Sequence, residues 1–417
     1  MGKNRSFLSR LVGSLAVTLA VVASAAPARA GTAATTYWVD SWGTPLHSSA
    51  AFKPVPALAD QTVRNVVHLH AGGDRVSLRL SNAFGDRPVT FGRVRVGIRA
   101  TGANVKAGSN KSVTFGGKKS VTLAVGAEVR SDPVTLAVTP GQDLAVSVYL
   151  PKPTGPATWH RFARQDNYVS TAGDHTAETG ATAYPTTLKN WFFVDAVSVR
   201  SATARGTIAA FGDSITDGAA STDNANRRWP DVLAARLTAR PGGPAYSVVG
   251  ASISGNSVLG DSPNSGESAV HRLDRDVLSH RTLRYVVFME GINDVKAGRS
   301  GDKLIAAYQE IISRVHAKGA KIYGATLTPF KGFKGYSEAT EQQRQHVNEW
   351  IRTSGAFDAV IDFDALVRDP ADGQLLRATY DSGDHLHPND DGYRAMGSAV
   401  SLALFPERPG RRRPCPG

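Results

Sequence analysis

From Gly206 onward the sequence switches repeatedly between two periods. Short apolar runs of strand character at 207–211, 246–251, 283–289, 321–327 and 359–363 alternate with helical patterns over 229–239, 269–279, 303–318, 338–353 and 390–404. Strands separated by helix-length segments pair in parallel, and their crossovers cover both faces of the sheet. The expected fold of residues 205–406 is therefore α/β, a doubly wound parallel sheet between two layers of helices. Ligands of such sheets bind at the carboxyl ends of the strands. Each polar residue suited to chemistry lies just past one of those ends.

Residues 36–200 have a different texture. Val76-Ser77-Leu78-Arg79-Leu80, Arg93-Val94-Arg95-Val96-Gly97-Ile98 and Leu144-Ala145-Val146-Ser147-Val148-Tyr149-Leu150 each alternate with period two, between clusters of Gly, Asn, Asp and Pro. Short, regularly spaced strands of this kind predict an all-β sandwich of jelly-roll type. It could bind sugar, or form a wall beside the active site of the following domain. A supporting role without a ligand of its own is the expectation, because fold alone establishes no site. Trp38, Trp42, Trp159 and His160 are the residues that could serve a ligand, and most such tryptophans are core.

The first thirty residues read as a targeting segment. Lys3, Arg5 and Arg10 precede an apolar stretch over 11–26, and Ala28-Arg29-Ala30 fits a small-x-small cleavage site. Ser14, Thr18 and Ser24 interrupt a run already short of the ~20 apolar residues of a membrane anchor. Residues 1–30 are thus expected to be a secretory signal, with a soluble exported product starting near Gly31. Roughly 385 of the 417 residues would remain, enough for two domains. Of the net charge of +12, four positive charges sit on Lys3, Arg5, Arg10 and Arg29, and four on Arg408, Arg411, Arg412 and Arg413 of a basic Pro/Arg tail at 407–417. The body is nearly balanced, which argues against a nucleic-acid surface. Cys415 is the only cysteine, so neither an intrachain disulfide nor a thiolate metal cage can form.

The sharpest local signal is Ala209-Ala210-Phe211-Gly212-Asp213-Ser214-Ile215-Thr216-Asp217-Gly218. A strand ends abruptly in Gly-Asp-Ser, which presents a serine hydroxyl at the sheet's carboxyl edge, beside backbone N–H groups that favour negative charge. Gly260-Asp261-Ser262 repeats the tripeptide, but Pro263 follows it and no strand precedes it. After the second strand comes Ser252-Ile253-Ser254-Gly255-Asn256, after the third Glu290-Gly291-Ile292-Asn293-Asp294, and beyond the fifth Tyr380-Asp381-Ser382-Gly383-Asp384-His385-Leu386-His387-Pro388. A serine nucleophile needs a base, a carboxylate to orient it, and donors where the oxyanion forms. His387 can be the base and Asp384 its orienter. The N–H groups of Ser214 and Gly255 and the side-chain amide of Asn293 can be the donors. Gly255 suits the role because a donor N–H must approach substrate closely. Pro388 is expected at the first position of the closing helix, keeping His387 on the loop above the sheet edge.

These blocks, in this order and each after a strand, resemble the SGNH (GDSL-type) esterase and lipase family over about residues 206–405. The resemblance implies a flavodoxin-like three-layer hydrolase in which Ser214, Gly255, Asn293 and His387 are the four name-giving residues and Asp384 completes the triad. The N-terminal half is similar, through Leu78-Arg79-Leu80-Ser81-Asn82-Ala83-Phe84-Gly85, to that of two-domain secreted bacterial members with a jelly-roll domain. Ile215 stands where the family's name has leucine, and Gly250 where many members have asparagine.

Other chemistries fit less well. There is no Gly-x-Ser-x-Gly elbow. Gly255 and Gly260 have the spacing of a phosphate loop, but Asp261 replaces its lysine. Asp381, Asp384, His385 and His387 could be metal ligands, a reading that leaves Ser214, Gly255 and Asn293 without purpose. Asp213, Asp217, Asp362 and Asp364 are expected to cap backbone N–H groups and fix loops. Phe330, Phe333 and Tyr336, on a glycine-containing loop after the fourth strand, are candidates for an acyl or alcohol pocket wall or for packing. The expectation is a secreted serine ester hydrolase that forms an acyl-enzyme and needs no cofactor or metal. Transfer of the acyl group to another acceptor, and a carbohydrate-binding protein with acetyl-polysaccharide esterase activity, are the alternatives. The expected partner is a small-molecule, lipid or polysaccharide ester, with no nucleic acid, no stable membrane insertion and a monomeric chain.

Overall fold

The computed structural model describes residues 35–54 and 56–407, so the expected signal segment and the basic tail after Glu407 lie outside the described residues. The C-terminal sheet is parallel, in the spatial order Tyr246–Ser252, Gly206–Gly212, Leu283–Met289, Lys321–Ala325, Ala359–Ile361. Taken in chain order that is 2-1-3-4-5, the flavodoxin-like arrangement. Its three central strands are apolar on both faces because helices cover both: Ile208, Phe211, Val286, Val287 and Ile322 are all buried. Trp229–Thr238, Gly301–Ala317 and Glu338–Thr353 form where the 3.6-residue pattern places them.

The differences from expectation fall at element ends and have local causes. The fourth strand stops at Ala325 because the backbone N–H of Leu327 turns to the Asn348 side chain. The fifth stops at Ile361 because Asp362 caps the next helix, accepting from the Ala365 N–H. The pattern over 269–279 divides into an α-helix, Ala269–Leu273, and a wider π turn, Asp274–Leu278. The last helix ends at Ala399, since Ser401 opens a separate 3₁₀ turn by accepting from Ala403. Pro388 is not the first residue of that helix. Asn389 is its cap, accepting from the N–H groups of Asp391 and Gly392.

Beside a small three-stranded sheet of Trp191–Phe192, Thr158–His160 and His47–Ser48 and a two-stranded one of Val89–Phe91 and Val121–Leu123, residues 37–201 form two main antiparallel sheets. One runs Tyr37–Gly43, Val194–Ser201, Gly73–Ser81, Val134–Val138; the other runs Thr186–Leu188, Asn167–Ala172, Gln61–His68, Asp143–Leu150, Arg93–Ile98, Lys111–Ser112. Val76, Leu78 and Leu80 of the first share a core with Leu144, Val146 and Val148 of the second, as in a sandwich. Period two is visible in Gly73–Ser81, yet its alternate residues Ser77 and Arg79 are buried too. Ser77 is covered within the sandwich, donating to the Ser131 carbonyl at 3.0 Å, and Arg79 by the C-terminal half, donating to Ser279 Oγ at 2.6 Å while pairing with Asp195 at 2.8 Å.

A buried polar junction joins the halves. Asp40, on the first strand, accepts from His280 Nδ1 at 2.8 Å and from the Arg281 N–H at 3.0 Å. Burial alone would push the Asp40 carboxyl up, but His280 and Arg130 outweigh it and hold it well below the usual carboxylate range. Gly250, where asparagine was the resemblance's expectation, lies under this strand. A Cβ there would come within 3.0 Å of the Gly43 carbonyl oxygen. Trp42 and Trp159 are core, at 6% exposure each, and Trp38 lies half-buried beneath the Arg281 guanidinium. No helix among the described residues is long and apolar enough to cross a membrane.

Candidate active site

The parallel strand Gly206–Gly212 ends at Gly212, and the backbone turns at once into the short helix Ser214–Asp217. Asp213 drives that turn as its cap, accepting the Ile215 N–H at 3.1 Å. Ser214 thereby stands at the sheet's carboxyl edge, 6% exposed. The loop before the last helix returns to the same edge. There His387 Nε2 lies 2.8 Å from Ser214 Oγ, and His387 Nδ1 lies 2.6 Å from Asp384 Oδ2. The other oxygen of Asp384 accepts the N–H groups of Leu386 and His387 at 2.9 and 2.8 Å. Partial burial pushes the Asp384 carboxyl up, but these hydrogen bonds and the imidazole outweigh it and hold it ionised below the usual range.

His385 faces a different carboxylate, with its Nδ1 2.7 Å from Asp381 Oδ2. The four residues weighed as metal ligands thus form two separate pairs. Among the described residues no group of three His, Cys, Asp or Glu side chains is placed to hold one ion.

Gly255 and Asn293 line the same cavity as Ser214, Asp384 and His387, a space of about 480 Å³. Gly255 has φ +82°, the left-handed region, whereas a Cβ there would meet only Ser265 at 3.4 Å. That backbone conformation by itself favours glycine here. Asn293 donates one amide hydrogen to the Asn256 carbonyl at 2.8 Å and accepts Lys296 Nζ at 3.1 Å, which leaves its second hydrogen uncommitted. Asp217 fixes the Gly255 loop, accepting Ser254 N–H and Oγ at 3.0 and 2.6 Å, and its other oxygen faces His160 Nε2 at 3.1 Å. A residue of the β-sandwich therefore braces a loop of the site.

Residues 210–395 match the GDSL-like lipase/acylhydrolase family. This region is a GDSL-like acylhydrolase domain. The chemistry of the chain is accordingly ester hydrolysis. Solved structures similar to the chain include a GDSL-like lipase from Bacteroides thetaiotaomicron VPI-5482, at 18% identity and TM-score 0.38 over 48% of this chain and 88% of that one. A member of the lipolytic G-D-S-L family from Veillonella parvula DSM 2008 is 23% identical, with TM-score 0.37 over 48% and 97%. A carbohydrate acetylesterase family member from Sinorhizobium meliloti is 18% identical, with TM-score 0.39 over 48% and 97%. A search of curated proteins finds no match.

The aromatic loop of the GDSL-like domain departs from the pocket-wall expectation. Phe330 is fully buried in the domain's core. Tyr336 packs edge-on against it and directs its hydroxyl to Gln374. Neither residue lines the cavity beside Ser214. Phe333 alone approaches the site, edge-to-face with the His387 ring at 6.3 Å, with Lys296 Nζ 4.4 Å above it. The aromatic lining comes instead from Phe162 of the β-sandwich, flanked by Arg161 and Arg164. Sequence reasoning stopped at Trp159 and His160, one residue short of this basic and aromatic run.

Sequence reasoning also missed Arg272, buried beneath the site. It donates to the Ala251 and Gly212 carbonyls at 2.6 and 2.9 Å, tying together the strand ends that carry Gly255 and Ser214. Asp362 and Asp364 fix loops as expected, holding Arg352 at 2.8 and 2.6 Å respectively.

Two buried carboxyls face Arg272, Glu290 at 3.1 Å and Asp276 at 3.8 Å, and Asp213 and Asp294 lie close enough to act on Glu290. Burial first, then the charges of Asp213 and Asp294, push Glu290 up to about 8 against the opposing Arg272 guanidinium 3.1 Å away. Burial likewise pushes Asp213 up to about 7. An acid whose folded pKa exceeds its unfolded value contributes stability that is full below about 4.5 and is lost as pH rises through about 8. Glu290→Gln, which keeps the protonated shape, should flatten the fall in Tm between pH 5 and 8, a change of no more than about 5 kcal/mol. Thermal melts across that range check it; an unchanged slope rejects it.

Proposed function

We propose that this ester hydrolase is an exported serine esterase that works through an acyl-enzyme on Ser214. The observation that carries the reading is the unbroken chain Ser214 Oγ, His387, Asp384, with contacts of 2.8 and 2.6 Å at the wall of one cavity. His387 Nε2 takes the hydroxyl proton as Ser214 Oγ attacks the ester carbonyl. The oxyanion forms among the N–H groups of Ser214 and Gly255 and the free amide hydrogen of Asn293. His387 then protonates the departing alcohol, and water, deprotonated by the same imidazole, releases the acid. Asp384 holds the imidazole with Nδ1–H directed toward itself. Support for export is the basic n-region, apolar stretch and Ala28-Arg29-Ala30 in the sequence.

Rapid mixing with p-nitrophenyl acetate tests the acyl-enzyme. A burst of p-nitrophenol stoichiometric with enzyme is expected, and Ser214→Ala should show none. A burst of full size from Ser214→Ala would reject the assignment. Asn293→Ala should lower kcat by roughly 10²–10³ with a smaller change in KM, as for loss of a single oxyanion donor. Steady-state kinetics on the same ester read this directly, and an unchanged kcat would restrict Asn293 to holding the Asn256 loop.

A further inference from the structure

The cavity that holds Ser214 has an unusual wall for an ester site. Arg161 lines it, and its guanidinium lies over the rings of Phe52 and Phe162, 4.3 and 4.6 Å from their centroids. Stacking fixes the plane of a guanidinium while leaving its in-plane N–H donors free. Among the described residues no carboxylate lies within ion-pair distance of Arg161 and no acceptor takes its side-chain N–H groups. Partial burial pushes its pKa down, with no neighbouring acid to offset that. Across the cavity the Lys296 ammonium meets the Asn293 amide oxygen and the face of Phe333; burial pushes its pKa down, and the nearby Asp213 and Asp384 carboxyls partly offset that.

A second cavity of about 350 Å³ shares Arg161, Phe162 and Arg164 with the first and extends to Lys189 and Asp223. Phe162, 40% exposed, stands where the two meet. Arg164 and Lys189 share the single carboxylate of Asp223. The joint groove therefore presents four cations against two carboxylates, Asp223 and the triad's Asp384. A groove with an excess of one sign and apolar walls concentrates ligands of the other sign.

We propose that the esters this site selects are anionic, carrying a carboxylate that docks on Arg161 with the rest of the substrate lying over Phe162. The proposal rests on Ser214 being the nucleophile of the adjoining site. Arg161 selects substrate and takes no part in the bond-making steps.

Two matched pairs of esters test it. The pair 4-acetoxybenzoate and methyl 4-acetoxybenzoate places the charge on the alcohol side, and p-nitrophenyl hemisuccinate against p-nitrophenyl butyrate places it on the acyl side. The native enzyme should favour the charged member of one pair in kcat/KM, and that pair assigns the side of the ester that faces Arg161. Arg161→Gln should cut the charged-to-neutral ratio roughly tenfold or more through KM, Arg161→Lys should retain part of it, and added salt should shrink it in the native enzyme. No charge preference in either pair, or an equal loss on both members in Arg161→Gln, would overturn the proposal. Undiminished hydrolysis of all four esters by Ser214→Ala would instead overturn the serine mechanism, so the two failures are distinct.

Discussion

Ser214→Ala should lose essentially all ester hydrolysis, on the order of 10⁴–10⁶ in kcat, and remain folded. The size follows from the position of the hydroxyl: it lies 2.8 Å from His387 Nε2 and is the one nucleophilic oxygen in contact with that base. The fold should tolerate the change because the turn is held by Asp213 and the Ile215 N–H, not by the serine side chain. Ser262→Ala is the matched control. Its tripeptide is the same, but Ser262 sits in a turn closed by its own backbone with Gly266, its hydroxyl accepts the Asn264 N–H, and among the described residues no histidine lies within hydrogen-bond distance of it. Activity of the two variants beside circular dichroism decides the matter.

His387→Ala should lose almost as much, whereas His385→Ala, two residues away, should keep a substantial fraction. The loop separates the two imidazoles by giving each its own carboxylate: Asp384 holds His387 at 2.6 Å, and Asp381 holds His385 at 2.7 Å. His385 has φ +66°, a left-handed conformation that turns the chain between the two pairs. Asp384→Asn should lower kcat by ~10⁴, because an amide donor in place of the carboxylate favours the wrong imidazole tautomer. A dead His385→Ala beside an active His387→Ala would transfer the base to the other histidine and leave ester hydrolysis itself standing.

Much of this was legible in the sequence, for identifiable reasons. The three central parallel strands bury both faces, so they appear as continuous apolar runs, and Gly206–Gly212 and Leu283–Met289 match to within a residue. Ser214, Asp384 and His387 could be found because their roles depend on short local segments at strand ends, where backbone geometry dictates orientation. Contacts between distant segments were not legible. Arg161 and Phe162 reach the cavity through the packing of one half of the chain on the other, which the Asp40–His280 and His160–Asp217 contacts hold in place. Phe330 and Tyr336 carried the correct composition for a pocket wall, yet the loop buries Phe330 in the core and lays the half-buried Tyr336 against it, its hydroxyl on Gln374. Gly250 was a departure from the family pattern in sequence. In three dimensions it is the space that the strand Tyr37–Gly43 occupies.

The central claim is that Ser214 is the atom that bonds to substrate, and covalent trapping tests it most directly. The native protein is treated with a p-nitrophenyl phosphonate ester, which transfers its phosphonyl group to an activated serine and releases p-nitrophenol, and is then digested and read by mass spectrometry. The account predicts one adduct per chain, on Ser214, formed far more slowly in His387→Ala. An adduct on Ser262 or any other residue that accompanies loss of activity, with Ser214 unmodified, would contradict it.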